Sequence, residues 1–278
     1  MELGKFGIWT TYRAIGEDQA GAAAKLVEEL GYGVFWLGGS PRLPSVRPLL
    51  EASESLVVAT SIVNIWAYDP AQLAAEHAVL ARDFPGRLLV GIGVGHPEAT
   101  SDYSKPFSAM RTFLDGLDGA ENPLPRDRRC LAALAPKMLA LSAERSLGAL
   151  PYFVPVEHTG VARARVGAEA LLATEVAFVL DDDAESARAK ARQYAQPYLG
   201  ASNYTNNLLR LGYTPEDIAN GGSDRLIDAV IPHGSADEIA GVVRAHLDAG
   251  ADHVAVQATG EPGIPRQGWT ALAEALFR

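Results

Sequence analysis

The sequence predicts an α/β protein: a (β/α)8 TIM barrel of parallel strands with a late helical insertion at about residues 200–232. Strand-like and helix-like patterns alternate along the 278 residues, and eight strand-like segments lie between helices. Eight such units in a chain of this length fit a closed barrel better than an open sheet. Because the sequence has no internal repeat, low-complexity tract or linker, we expect one domain spanning residues 1–278.

The stretch from residue 57 to residue 94 is the clearest part of this pattern. Val57–Val63 is rich in β-branched residues, and Leu88–Val94 is apolar throughout. Between them, Asp69 and Pro70 supply an N-cap and a first-turn proline for a helix that ends near Phe84. A strand, helix, strand unit of this kind forms a parallel sheet, and ligands bind at the carboxyl ends of its strands.

The other elements follow from the same signals. A capping box, Ser235-x-x-Glu238, opens one helix, and Gly31 ends another. The predicted strands are 3–9, Val34–Leu37, Val57–Val63, Leu88–Val94, Cys130–Leu134, Tyr152–Val154, Val176–Leu180 and His253–Gln257. The predicted helices cover 17–30, 70–84, Pro106–Leu117, Pro136–Ser146, a segment after Thr159, Ala184–Tyr198, 235–249 and Trp269–Phe277.

Bulk composition excludes several classes of protein. The formal charge is 24 − 34 = −10, which argues against a nucleic-acid-binding surface. Cys130 is the only cysteine, so no internal disulfide can form. No apolar run reaches the roughly 18 residues of a membrane span. We therefore expect a cytoplasmic protein that acts on a small molecule, without a membrane or nucleic-acid partner.

Two strand ends carry unusual residues. Gly91-x-Gly93-x-Gly95 ends the fourth predicted strand, but His96-Pro97 stands where a dinucleotide fingerprint needs its next glycine and a helix. Small residues there suit the close approach of a flat ring system, or of another loop. Further along, Ala133–Met138 runs from a strand into a helix with Pro136 at its start, so exposed amides there would bind an anion, unless this is an ordinary turn.

The histidines and acidic residues give weaker signals. His96, His158 and His233 fall near strand ends, on the functional face of a barrel, whereas His253 starts a strand and His246 should be solvated on a helix. His96 is the candidate for proton transfer, with a surface histidine as the alternative. No histidine pair has metal-ligand spacing, so we expect no metal site.

Asp181-Asp182-Asp183 is better explained as a helix cap than as a metal cluster. No Gly-x-Ser-x-Gly elbow is present, and Cys130 comes early in a strand, so hydrolase chemistry lacks support. Aromatic residues near the predicted strand ends would instead form the walls of a pocket, or pack inside the barrel. The candidate substrate pocket comprises Trp9, Tyr12, Trp36, Trp66, His158 and His233.

Four segments together resemble the bacterial luciferase-like monooxygenase superfamily, and most of all its branch that uses the deazaflavin coenzyme F420. These segments are ATSIVNIWAYDPA from Ala59, GRLLVGIGVGHP from Gly86, AALAPKML from Ala132, and the ending from Gly234 to Gln257. The resemblance spans nearly the whole chain. It implies a (β/α)8 barrel with a late insertion that binds FMN or F420 at the carboxyl ends of its strands, and it leaves a homodimer open.

The resemblance also implies roles for particular positions. Ser61-Ile62 corresponds to a bulge that often holds a non-proline cis peptide behind the cofactor ring, and Asn64 to a contact with the ring edge. Residues implied on the other side of the ring are Val94, Gly95 and His96. Residues implied at the cofactor phosphate are Leu134, Ala135, Pro136, Lys137 and Met138.

Two departures leave the acid–base residue open. Many deazaflavin members have an Asp-His pair where this chain has Gly38-Gly39-Ser40, and some have a glutamate where His96 stands. The resemblance implies an F420-dependent oxidoreductase that transfers a hydride to or from a small organic substrate. An FMN-dependent monooxygenase and a non-catalytic flavin-binding barrel are the alternatives, and oxygen consumption would separate the first two.

Overall fold

The computed structural model describes residues 1–96, 98 and 103–278. Pro97, which ends the second of the resembling segments, lies outside these residues. The strands, all paired in parallel, are β1 (Phe6–Thr10), β2 (Val34–Gly38), β3 (Val57–Ser61), β4 (Val63–Asn64), β5 (Leu88–Gly93), β6 (Arg129–Ala132), β7 (Gly148–Leu150), β8 (Leu171–Leu180), β9 (His233–Gly234) and β10 (His253–Ala258).

These strands close into an eight-stranded barrel, as the sequence predicts. The order is β10-β1-β2-β3-β5-β6-β7-β8, and β8 pairs back onto β10. The short β4 continues the line of β3 after a bulge at Ile62 and pairs with β5. The equally short β9 pairs with the upper end of β8, at Val179 and Leu180.

Helices surround the barrel and begin close to the predicted positions. They are α1 (Tyr12–Ile15), α2 (Ala20–Glu29), α3 (Arg47–Glu51), α4 (Pro70–Asp83), α5 (Pro106–Asp118), α6 (Pro136–Arg145), α7 (Val156–Val166), α8 (Ala184–Leu199), α9 (Ser202–Arg210), α10 (Pro215–Ile218), α11 (Asp224–Val230), α12 (Ala236–Asp248) and α13 (Arg266–Leu276). Asp69 caps α4 and Asp183 caps α8 through their side chains, and Ser235 and Glu238 form the expected capping box. Among the described helices, none is long and apolar enough to cross a membrane.

The core has three main parts. A large cluster fills the space between the strands and the outer helices. A second cluster fills the inside of the barrel, where Trp9 and Trp36 are its largest members. The third joins α8 to α11 and reaches the barrel through Tyr152 and Phe153. We call residues 184–230, which form α8 to α11, the helical cap.

Two expectations from the sequence are wrong. The sixth strand is Gly148–Leu150 rather than Tyr152–Val154, because Gly148 lacks the Cβ that would meet the backbone of Leu171, whereas Phe153 turns to a φ of 55°. His246 is 1% exposed, not solvated, and its Nδ1 lies 2.8 Å from Thr159 Oγ1. In both cases tertiary packing overrides a local pattern.

Candidate functional site

The bulge after β3 lies at the carboxyl end of the barrel. The Ser61–Ile62 peptide bond is cis, as the resemblance implied. A Cβ on Gly93 would lie 2.7 Å from Cγ1 of Ile62, so the Ile62 side chain crosses directly over the end of β5. The bulge therefore places an apolar side chain across the strand end, and the missing Cβ of Gly93 makes room for it.

Asn64 and Trp66 brace this bulge. The backbone N–H of Trp66 donates to Asn64 Oδ1 at 3.0 Å, and the indole N–H of Trp66 donates to the Val94 carbonyl at 2.8 Å. The Trp66 ring also lies 5.9 Å from the Tyr103 ring, centroid to centroid. The end of β4 is thereby tied to the end of β5, and Val94 is held beside the bulge.

Small residues at the strand ends accommodate the chain's own side chains. A Cβ on Gly38 would lie 2.1 Å from Cζ2 of Trp9, and one on Gly91 would lie 2.1 Å from the Thr60 carbonyl oxygen. The close approach predicted for the Gly91-x-Gly93-x-Gly95 segment therefore exists at Gly91 and Gly93, where a protein group makes it, and a further one exists at Gly38. Gly95 has a φ of 62°, which turns the chain towards His96.

The start of α6 forms a second part of the site. Pro136 is the first helical residue, and the Ala135 N-cap receives no side-chain cap. The Met138 N–H bonds back to the Ala135 carbonyl at 3.0 Å, and the Lys137 side chain is exposed beside it. A helix start with Pro at its first position and exposed Lys at its second has the polarity that favours an anion.

His158 holds the strand that leads into this helix. It lies in α7, is 1% exposed, and has its Nε2 3.1 Å from the Leu134 carbonyl oxygen. Because a carbonyl only accepts, Nε2 carries the hydrogen. Burial lowers the pKa of His158, so the ring is neutral. His158 thus contacts the loop from behind rather than lining a pocket.

His96 faces the helical cap. Its Nδ1 lies 3.2 Å from Asn203 Oδ1, and its ring lies 5.2 Å from the Tyr204 ring, both on α9. The nearby Glu98 carboxylate accepts from the Ser202 backbone N–H at 3.1 Å, which lowers the pKa of Glu98. The loop after β5 is therefore docked on the first turn of α9.

The remaining predicted pocket residues are dispersed. The Tyr12 hydroxyl donates to the Ser45 carbonyl at 2.7 Å, and burial raises its pKa to about 12. Trp36 is 1% exposed and donates its indole N–H to His253 Nε2 at 3.0 Å, so its ring is directed to the opposite end of the barrel. His233 bonds the Ile231 carbonyl beneath the cap. The structure does not bring Trp36 to the strand ends.

A group of tyrosines beside Gln257 was missed by sequence reasoning. The Tyr152 hydroxyl lies 2.7 Å from that of Tyr194 and 2.8 Å from that of Tyr198. Gln257 Oε1 accepts from both Tyr152, at 3.1 Å, and Tyr194, at 2.9 Å. We call Tyr152, Tyr194, Tyr198 and Gln257 the hydroxyl cluster. Its members come from three distant parts of the chain, so no spacing in the sequence could reveal it.

Glu175 lies below this cluster. It faces the inside of the barrel from β8, is 4% exposed, and accepts from the Phe153 backbone N–H at 3.4 Å. Its Oε1 has no hydrogen-bond partner among residues 1–96, 98 and 103–278. Burial raises the pKa of Glu175 to about 8, so the carboxyl is protonated at neutral pH. A carboxyl with a strongly raised pKa beneath polar groups in a barrel mouth is typical of functional sites.

Solved structures with the same fold include enzymes of two cofactor types. An F420-dependent secondary alcohol dehydrogenase in complex with an F420-acetone adduct is 13% identical, with a TM-score of 0.76 over 99% of this chain and 98% of that one. The coenzyme F420 dependent tetrahydromethanopterin reductase from Methanopyrus kandleri is 15% identical, with a TM-score of 0.72 over 99% of each chain. The oxygenating constituent of 3,6-diketocamphane monooxygenase from Pseudomonas putida, in complex with FMN, is 12% identical, with a TM-score of 0.68 over 98% and 96%.

At these identities the structural likeness establishes the barrel fold alone. Among curated protein sequences, none matches this chain. The sequence model of one family does match, and it spans residues 3–253, which cover the barrel from the approach to β1 to the first residue of β10. The chain therefore belongs to the luciferase-like monooxygenase family, whose members are oxidoreductases or monooxygenases.

Proposed function

We propose that this protein is an oxidoreductase that transfers a hydride between coenzyme F420 and a small organic substrate. The observation that carries the proposal is the start of α6, an anion-favouring helix end held by a buried histidine on the functional face of the barrel. A phosphate-bearing cofactor fits such a helix end. The resemblance of the sequence to the F420-using branch favours F420 over FMN, and two F420-dependent enzymes are among the solved structures with this fold.

The residues present fit this cofactor. Ala135, Pro136, Lys137 and Met138 would hold its phosphate, with Leu134 fixed from behind by His158. The ring would lie against the bulge at Ser61 and Ile62, with Asn64 at its edge and Val94 and Gly95 along its other side. When bound, the deazaflavin supplies or accepts the hydride, and the protein provides orientation and exclusion of water.

His96 would hydrogen-bond a polar substituent of the ring. Donation of its Nδ1–H to Asn203 leaves Nε2 as an acceptor, and the contact with Tyr204 fixes the ring plane. The chain would bind its substrate among the aromatic residues of the mouth, where Trp9, Tyr12 and Trp66 lie near the strand ends. Such walls favour an uncharged substrate.

The FMN-dependent monooxygenase remains the second candidate, because an FMN complex has the same fold. Both cofactors carry a phosphate and a tricyclic ring, so the start of α6 favours neither. A deazaflavin does not sustain oxygen activation, whereas a monooxygenase consumes oxygen. A barrel that binds a flavin without turnover would bind one cofactor tightly and reduce no acceptor.

The test is to titrate the purified protein separately with F420 and FMN and to follow tryptophan fluorescence. We expect saturable quenching by F420 and little by FMN. A Lys137→Ala variant should weaken F420 binding several-fold, whereas Lys25→Ala, on α2, should leave it unchanged. Saturation by FMN alone, together with oxygen consumption, would replace the proposal with the monooxygenase.

A further inference from the structure

We propose that Tyr152, held in the hydroxyl cluster, exchanges the proton with the oxygen atom of a small ketone, aldehyde or alcohol substrate, and that Glu175 positions it. This inference rests on the proposed function, because the hydride partner is F420. It assigns the acid–base role that the departures at Gly38-Gly39-Ser40 and His96 leave open. His96, engaged with α9, would serve the cofactor ring instead.

The first argument is the balance of hydrogens in the cluster. Three hydroxyls supply three hydrogens, whereas four close oxygen–oxygen contacts join Tyr152, Tyr194, Tyr198 and Gln257. One contact must therefore lack a hydrogen. Because Tyr152 and Tyr194 both donate to Gln257, the contact without a hydrogen is the one between Tyr152 and Tyr194, and Tyr152 accepts from Tyr198. Tyr152 can therefore pass its hydrogen to a substrate and receive another from Tyr198.

The second argument is access. Each member of the hydroxyl cluster keeps part of its surface exposed, although Tyr194 and Tyr198 belong to the cap and Tyr152 and Gln257 lie at the barrel mouth beneath it. Below them, Trp9 is 8% exposed and Glu175 is 4% exposed. We place the substrate in a recess lined by the hydroxyl cluster, with Trp9 and Glu175 beneath it. A small molecule in that recess would meet hydroxyl groups rather than charges.

The third argument is the set of polar groups left without partners around this recess. Neither Trp9 Nε1 nor Glu175 Oε1 has a hydrogen-bond partner within the described part of the chain. The Trp9 ring lies 5.3 Å from the Tyr152 ring. Buried polar groups normally have partners, so an unpaired one calls for an explanation, and a bound ligand is one such explanation. A ligand oxygen is the kind of atom that an indole N–H and a tyrosine hydroxyl would bind.

Glu175 acts on Tyr152 through the backbone. Its carboxyl accepts from the N–H of Phe153, whose φ of 55° turns the chain just after Tyr152. The titratable groups that face it are Tyr152 at the end of β7, Tyr194 and Tyr198 on α8, and Tyr204 on α9. While Glu175 is protonated, it places no negative charge against these hydroxyls. Ionisation near pH 8 would introduce one.

The proposed step is balanced. In the reducing direction, the O–H bond of Tyr152 would break and an O–H bond would form on the substrate oxygen. The substrate carbon would gain the hydride that reduced F420 supplies, and F420 would be left oxidised. Tyr152 would then regain a proton from Tyr198, which would exchange its own with water. The reverse direction returns the proton from an alcohol to Tyr152. A ketone or aldehyde is thereby converted to an alcohol, or the reverse.

The experiment compares the wild type with Y152F, E175Q and the control Y213F, which makes the same change in the cap away from the hydroxyl cluster. F420 binding is measured first by fluorescence, then oxidation of reduced F420 by a panel of small ketones and aldehydes. We expect F420 affinity within about twofold for all four proteins. We expect Y152F to lose roughly 100-fold in rate, the scale of general acid catalysis, and Y213F to lose nothing.

A second measurement does not depend on turnover. The infrared carbonyl band of carbon-13-labelled acetone is recorded with each protein in complex with oxidised F420. We expect a band shifted to lower frequency in the wild type and Y213F, and no such band in Y152F. A wild-type spectrum identical to that of Y152F would overturn the role of Tyr152.

The pH profile tests Glu175. We expect the wild-type rate to fall above about pH 8, where Glu175 ionises, and this limb to disappear in E175Q. An unchanged profile would remove Glu175 from the proposal. If F420 fails to bind the wild type, the proposed function and this inference both fail. If F420 binds and Y152F is as active as Y213F, only the inference fails.

Discussion

Each end of the barrel interior buries a titratable side chain, but the two ends differ in how fully that side chain is hydrogen-bonded. At the amino end, His253 is fully buried, and both ring nitrogens are used: Nδ1–H donates to the Gly4 carbonyl at 2.8 Å, and Nε2 accepts from Trp36. At the carboxyl end, Glu175 is nearly as buried, yet within residues 1–96, 98 and 103–278 its Oε1 has no partner. One end is fully paired and the other is not.

The amino end is therefore the better satisfied of the two, and the carboxyl end is where we propose that a ligand binds. A buried polar group without a partner costs about 1–3 kcal/mol, so the unpaired Oε1 of Glu175 lowers the stability of the fold. At the amino end, the missing Cβ of Gly7 leaves room for the His253 ring. Removing a buried polar group at the amino end should therefore destabilise the fold, whereas removing one at the carboxyl end should not.

The largest expected effect is the pH dependence that Glu175 imposes on stability. The folded state raises its pKa from 4.5 to about 8, so between these values the unfolded chain releases the proton first. Stability is therefore lost as pH rises, by about 1.4 kcal/mol per pH unit. Urea denaturation between pH 5 and pH 8 should show that the free energy of unfolding of the wild type, relative to that of E175Q, falls by roughly 4 kcal/mol across this range. Parallel curves for the two proteins would contradict the buried, protonated state of Glu175.

At the amino end, His253→Leu should destabilise the protein by about 3 kcal/mol, because it leaves Trp36 Nε1 and the Gly4 carbonyl without partners. His77→Leu is the matched control. His77 is 5% exposed, and its Nε2 has no partner in the described part of the chain, so the same change there should cost under about 1 kcal/mol. Thermal unfolding at pH 7 measures both. Equal losses would show that pairing does not distinguish the two histidines.

The barrel itself could be predicted because its signals are local. The N-cap at Asp69, the proline at Pro136 and the capping box at Ser235 each act within one turn, and the structure has all three. The prediction of the sixth strand was wrong because the position of that strand does not depend on a local signal. Its position depends on the backbone of Leu171 approaching Gly148, a contact between segments that local propensity does not register.

The candidate site was predictable only in part. The cis peptide at Ser61–Ile62 was expected from the family resemblance rather than from the residues themselves. The hydroxyl cluster joins Tyr152, α8 and Gln257 across 105 residues, and Glu175 sits within a strand that otherwise reads as apolar. Such groups become neighbours only when the barrel closes and the cap folds over it. A buried glutamate in an apolar strand was the one available signal.

A smaller effect tests the link between His158 and the start of α6. His158→Phe removes the hydrogen bond to the Leu134 carbonyl, so the loop that precedes the helix is less well fixed. We expect F420 affinity to fall roughly tenfold, or about 1.4 kcal/mol. His158→Gln retains an N–H donor and should restore most of the affinity. Fluorescence titration measures all three proteins, and an unchanged affinity in His158→Phe would separate this histidine from the anion site.

The smallest expected effect concerns Trp9, the aromatic residue beneath the hydroxyl cluster. Its indole N–H has no partner within residues 1–96, 98 and 103–278, so Trp9→Phe removes an unsatisfied group. The same substitution opens a gap where the ring lies over Gly38. These effects oppose each other, and we expect a change within about 1 kcal/mol. Trp36→Phe, by contrast, breaks the bond to His253 and should cost more than Trp9→Phe in the same urea titration. If Trp9→Phe is the more costly, then its N–H is paired in solution, and the carboxyl end of the barrel is as fully satisfied as the amino end.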